Sequence, residues 1–265
     1  MSALLGLPVA LTAAVSVVFI VLLALGSYWL ARRVLGPLAV AETRELAGSV
    51  LFRIAALHGL VLALVFAQEL GSIRDVKVAA AREAAMLGDV YYDSIRYEAE
   101  EETQPVRHHL ARYATIVAEE EWAALSSTGR LTASAWAEWE AAYGAILDLE
   151  PRTLRQERLL SIMIDDIRQL SELREARENA VLSGPPWLFL MAALSGVALI
   201  SAAYFTWTPS PLNLTLLSGF AGYTGLIIYF IVAFANPYAP PGETRPLAFE
   251  RFLSEAVRTA ADEAD

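Results

Sequence analysis

The sequence predicts an all-α membrane protein: four transmembrane helices carrying a helical extramembrane domain. Three observations predict it. No charged residue occurs from Met1 through Ala31, and none from Asn179 through Gly242. Nearly all the acids and bases lie between or after those stretches, where apolar residues recur every three or four positions. No segment alternates like a strand, and none repeats. Of 265 residues, 56% are hydrophobic and 19% charged, against about a quarter charged in an ordinary soluble domain.

The first apolar run is Pro8 to Leu30. At 1.5 Å per residue it is long enough to cross a roughly 30 Å hydrocarbon core. It ends in the interfacial pair Tyr28-Trp29 and then Arg32 and Arg33. A cleaved signal peptide is the poorer reading, because no basic segment precedes the run and the run is too long. The second run is shorter. Between Arg53 and Gln68 lie the 14 residues Ile54 to Ala67, with His58 among them. Such a length more often marks a buried helix, but it crosses if its polar residues face protein or water.

The third and fourth runs, Trp187 to Trp207 and Leu212 to Phe234, form a hairpin. Pro185-Pro186 stops the preceding helix, and TPSPLN makes the turn with two prolines and two N-cap candidates. Ala192 and Gly196 on the third helix, and Gly219, Gly222 and Gly225 on the fourth, are candidate packing positions. Small residues let membrane helices approach closely.

The polar region between the spans reads as helices. Val76, Ala80, Ala84, Leu87, Tyr91 and Ile95 continue the second span's helix outward, past tolerated glycines at 71 and 88. A turn is expected at Gln104-Pro105 with Thr103 as cap. A second helix carries Leu110, Tyr113, Val117 and Leu125 and breaks at Ser126 to Gly129. A third starts near Thr132 with Trp136, Trp139, Tyr143 and Ile146. A fourth, after Glu150-Pro151, carries Leu159, Ile162, Ile167, Leu170 and Leu173. After Gly242, Phe249, Phe252, Leu253, Ala256, Val257 and Ala260 form one apolar stripe. Its acidic end favours docking on the helical region over lying on anionic lipid. The expected division is therefore 1–70 with spans at 8–30 and 51–70, a helical domain at 71–184, a hairpin at 185–238 with spans at 186–207 and 212–234, and a tail at 239–265.

Composition also excludes. A net charge of −10 repels phosphate backbones, so nucleic acid is not a partner. The absence of cysteine removes disulfides, thiolate nucleophiles and Cys-type zinc sites. Four spans put both termini on the side of the large domain. Arg74, Lys77, Arg82, Arg168, Arg174, Arg177, Arg245, Arg251 and Arg258 lie on that side near span ends. Arg32, Arg33 and Arg44 lie on the other, with Arg53 at the boundary. Bases favour the cytoplasm, so the domain is expected there, with the Arg32-Arg33 pair arguing the other way.

Five segments then resemble one family. They are LFRIAALHGLVLALVFAQE (51–69), VAAAREAAMLGDVYY (78–92), LARYATIVAEEEW (110–122), LSELREARENAV (170–181) and ANPYAPPGETRPLAFERFL (235–253). Over roughly residues 30 to 255 the chain resembles the bestrophin-like family of bacterial membrane proteins. It departs from that pattern at Ala123, where a proline commonly follows Glu-Trp, and at Asn236-Pro237-Tyr238, in place of Asp-x-Pro-Phe. The family's name implies a distant likeness to bestrophins, pentameric anion channels whose second span lines the pore. The resemblance therefore implies a homo-oligomer in the bilayer of the bacterial inner membrane, with chloride or another small anion as the conducted species. A fold-level likeness does not itself establish transport.

The residues allow that reading and a plainer one. Ile54, His58, Val61, Val65 and Gln68 share one face of the second helix, followed by Ser72. On an oligomer axis this face would form apolar rings between His58 and Gln68, able to gate by dewetting, with imidazole and amide donors replacing lost anion hydration. The same spacing describes an ordinary packing seam. Arg53 and Glu69 read as snorkelling to the interfaces. The acidic runs Glu98-Glu100-Glu101-Glu102 and Glu119-Glu120-Glu121 read as solvated helix ends. Neither has the converging oxygens calcium needs. His108 and His109 point about 100° apart on a helix (3.6 residues per turn) and read as surface residues. Trp122, Trp136 and Trp139 read as core or subunit contacts. No catalytic residue, metal site or cofactor motif is found: there is no phosphate loop, HExxH or GxSxG, and Asp165-Asp166 has no partner base. Two functions remain, an oligomeric anion channel or a non-conducting scaffold or sensor acting through its helical domain.

Overall fold

A computed structural model describes the backbone of residues 8–182 and 187–262, and the side chains of all these except 41 and 257–262. Among the described residues the structure is all helix and connection, with no strand. The helices are α1 (Val9–Leu35), α2 (Ala41–Arg96), α3 (Glu100–Ile116), α4 (Trp122–Thr128), α5 (Ala133–Leu147), α6 (Leu154–Leu182), α7 (Trp187–Ala203), α8 (Pro211–Phe234) and α9 (Leu247–Asp262). Four stretches, Val9–Leu38, Glu42–Arg96, Leu154–Thr206 (described on either side of residues 183–186) and Pro211–Phe234, are long and apolar enough to cross a membrane. Pro185-Pro186 and Gly184 lie outside the described residues, as do the side chains of Val257 and Ala260.

The chain forms two compact units, Met1–Gly71 with Gly184–Ala235 and Ser72–Ser183 with Asn236–Asp265. In the first, α1 packs against both α7 and α8. Ile20, Ala24, Phe189, Val197 and Ala221 are at its centre, joined by Leu62 of α2. Van der Waals contact holds such a bundle, because lipid is as apolar as the helices. The α7–α8 turn has the expected chemistry: Ser210 caps α8 by accepting the Asn213 N–H at 3.2 Å, with Pro211 at the first helical position. Arg32 donates to the carbonyls of Phe205 and Trp207, at 3.1 and 3.0 Å, and Tyr28 donates to Trp207 O at 3.0 Å. These bonds satisfy carbonyls left open where α7 ends.

In the second unit α2 continues without a break to Arg96, because neither Gly71 nor Gly88 is enough to end a helix. The turn that follows is not at Gln104-Pro105. It falls at Tyr97–Ala99, where Glu98 adopts a left-handed φ of 58°. Pro105 sits inside α3, its ring facing solvent, and Thr103 is no cap but back-bonds to Ala99 O at 3.1 Å. No turn signal marks this position, because Glu98 stands where a glycine is usual. The α4 end does carry one: Gly129 takes φ 69°. The amphipathic α9 docks on this unit, burying Phe249, Phe252 and Ala256. Phe252 meets the Tyr91 ring edge-on at 5.6 Å.

Candidate functional site

Two arrangements hold the polar side chains that apolar surroundings do not explain. The first is on α2 in the first unit. His58 is buried against Gly196 of α7, where an added β-carbon would lie 2.9 Å from His58 Cε1 and nearer still to Nδ1. Val65 packs beside the core around Leu62, and Ile54 is half-buried. Val61 and Gln68 instead face outward. The five residues of the predicted face thus divide between the chain's own bundle and its outside. The glycines divide too. Gly225 lies against Ile20 and Val17, with a β-carbon 3.1 Å from each, and Gly222 approaches Val17 at 3.6 Å. Gly219 faces open space, and Ala192 is exposed.

The second arrangement is a buried charge cluster in the second unit. Between α3 and α4, residues Val117–Glu121 form a π-helical turn. Such a wide turn is uncommon and often marks functional positions. Here it turns consecutive residues Glu121 and Trp122 into the core. The acidic run therefore splits: Glu119 and Glu120 are solvated as expected, but Glu121 is fully buried. Periodicity could not show this, because one extra residue in a turn shifts every later one.

Arg177 of α6 joins two acids. Its Nε and Nη2 donate to Glu83 at 2.7 and 3.0 Å, and Nη2 also donates to Glu121 Oε2 at 2.8 Å. One turn earlier, Arg174 Nη2 donates to Glu121 Oε1 at 2.6 Å and to Thr132 O at 2.7 Å. Tyr113 donates to Glu83. Two acids thus meet two guanidinium groups, so the formal charges of the cluster balance. Burial and then the Glu83 charge push the Tyr113 phenol well above the usual tyrosine range. Burial does the same to Tyr238, whose hydroxyl donates to Arg177 O at 3.3 Å. The Arg177 guanidinium lies 5.4 Å from the Trp122 ring and 5.7 Å from that of Phe249. Trp122 in turn donates to Thr244 O at 2.7 Å.

Glu83 comes from segment 78–92, Tyr113, Glu121 and Trp122 from 110–122, Arg174 and Arg177 from 170–181, and Tyr238, Thr244 and Phe249 from 235–253. These are the four polar segments that carry the family resemblance. That convergence was the available signal for the cluster. Spacing within any one helix could not reveal partners 30 to 122 residues apart.

The remaining candidates are more ordinary. Trp122 and Trp139 are buried, whereas Trp136 is exposed and stacks on Trp139 at 4.4 Å. His109 shares Glu138 with Arg112, at 2.7 and 2.8 Å. Glu102 and Glu98 pair with Arg152 and Arg155 at the solvent surface. Among the described residues, no three His, Cys, Asp or Glu side chains are placed to hold a metal ion.

No curated protein matches the chain. Residues 18–242, most of its length and all of the charge cluster except Thr244 and Phe249, match the Bestrophin-like domain. With its all-helical fold and four membrane-length apolar helices, the chain belongs to the Bestrophin-like family.

Proposed function

We propose that the protein is an oligomeric channel of the bacterial inner membrane that passes small anions, chloride among them. The observation that carries this reading is the uncovered face of α2. Within one chain, Leu57, Val61, Leu64 and Gln68 are all exposed and follow spacings of four, three and four. That is one helical stripe, apolar until its polar end. In a ring of subunits, five in a bestrophin-like assembly, it would form stacked apolar constrictions bounded by an amide ring. This stripe is offset from the predicted one. His58 and Val65 hold α2 to its own bundle, and Val61 and Gln68 are shared by both stripes.

The same reading puts the helical unit and both termini in the cytoplasm. Nine bases near span ends favour that side. The opposing Arg32 is engaged by carbonyls of the α7–α8 turn, so its position has a structural cause of its own.

Purified protein in liposomes tests the proposal. A chloride gradient should dissipate, and Val61→Ala, which widens the constriction, should raise the rate several-fold. Mass measurement in detergent should show a closed oligomer. A folded monomer with no flux of any small ion would sink the channel and leave the non-conducting scaffold or sensor.

A further inference from the structure

Arg53 stands on the exposed stripe of α2, one turn before Leu57. Val61, Leu64 and Gln68 follow on the same side of the helix. At 3.6 residues per turn, Arg53 lies roughly 140° around the helix from His58. It therefore points away from the bundle in which His58 and Leu62 are buried. Its side chain is exposed, and among the described residues it makes no ion pair or hydrogen bond.

Two contacts of α2 set the depth of Arg53. A β-carbon on Gly48 would lie 4.0 Å from the Trp207 ring, and His58 meets Gly196. Arg53 is five residues from each, so it sits about 7.5 Å along the helix below the level of Trp207. Gly196 is near the middle of its span. Arg53 is thus about halfway from the interface to the centre of a roughly 30 Å core. The interfacial arginines at this end are others. Arg32 donates to Trp207 O at 3.0 Å, and Arg44 lies 5.6 Å from the Trp207 ring. A charged group at the depth of Arg53 is costly against acyl chains and is normally turned to protein or water. The chain's own bundle is on the other face of α2, which leaves water on the face of the stripe.

We infer that Arg53 lines the conduction path and, repeated around the ring of subunits, selects anions over cations. This rests on the channel reading given above. A ring of guanidinium groups concentrates chloride at the mouth of the apolar constriction and repels the accompanying cation. No other charged residue lies between Arg53 and Glu69. The acids at the start of α2, Glu45 and Glu42, are about 12 and 16 Å further along the helix. That exceeds the Debye length of about 10 Å at 0.1 M salt, so they leave the charge of the ring uncancelled.

The test uses the full chain in planar bilayers under a potassium chloride gradient, where the reversal potential gives the chloride-to-potassium permeability ratio. Arg53→Gln should lower that ratio about tenfold, and Arg53→Lys should keep it. The difference should shrink at 1 M salt, where the Debye length is about 3 Å. The chain has no cysteine, so Arg53→Cys supplies a single thiol that can be modified in the folded, conducting protein. A cationic methanethiosulfonate should restore the anion preference, and an anionic one should invert it, which no folding defect can imitate. Wild-type conduction with an unchanged ratio in Arg53→Gln, or a ratio in Arg53→Cys that neither reagent alters, would overturn the inference and leave the channel standing. A folded wild type that conducts nothing would overturn both.

Discussion

The imidazole of His58 fills the space in which a side chain at residue 196 would begin. A β-carbon on Gly196 would stand 2.9 Å from Cε1 and 3.0 Å from Cγ of the ring. Even a methyl group there forces α2 and α7 apart or His58 out of its rotamer. Overpacking of this kind costs about 1–3 kcal/mol. Gly196→Ala should therefore lower the melting temperature in detergent, and His58→Ala in the same chain should recover most of the loss. Gly219→Ala, facing open space, supplies the control. Equal melting of Gly196→Ala and wild type would refute the contact.

Among the described residues Arg177 alone pairs with both Glu83 and Glu121, and all three side chains are fully buried. Arg177→Met would leave two buried carboxylates with Arg174, Tyr113 and Thr132 to answer them, but no cation at Glu83. Removing one partner of a buried pair costs about 3–5 kcal/mol. Arg152→Ala, which breaks an exposed pair with Glu102, should cost under about 1 kcal/mol. Denaturant unfolding of the two variants should separate them clearly, and similar midpoints would contradict the cluster's structural role.

Tyr113 and Tyr238 both hold their protons more tightly when folded than when unfolded, for burial disfavours the phenolate. Below about pH 10 both states are protonated, and the stabilisation is complete. As pH rises past that point the unfolded chain releases protons that the folded chain keeps, so stability falls. Absorbance at tyrosinate wavelengths should show at least two of the ten tyrosines, Tyr113 and Tyr238, titrating only as helicity is lost. Smooth titration of all ten in the folded protein would count against this.

Gly129 ends α4 at a positive φ, and a β-carbon there would lie 3.1 Å from Val181 Cγ1. Gly129→Ala should cost roughly 1–2 kcal/mol for the left-handed backbone alone. Gly144→Ala, in the last turn of α5 with open space beside it, should instead gain up to about 0.5–1 kcal/mol of helix stability. Opposite signs in thermal unfolding are the expected result.

The apolar runs, the helical class and the family were legible in the sequence, because each depends on local chain properties. Membrane-length helices need only length and composition, and amphipathic helices need only a period. α9 shows how far this reaches: the stripe of Phe249, Phe252 and Ala256 was visible, and so was its preference for docking. The tertiary structure alone decided which partners these faces meet. No spacing on α2 tells whether His58 faces an axis or a glycine on α7, since both use the same stripe. No acidic run announces that Glu121 leaves its neighbours for the core, because a π-helical turn shifts the register locally. Electrostatic pairing across distant segments has no one-dimensional signature, since a buried charge is stable only when the whole fold brings its counter-charge to it.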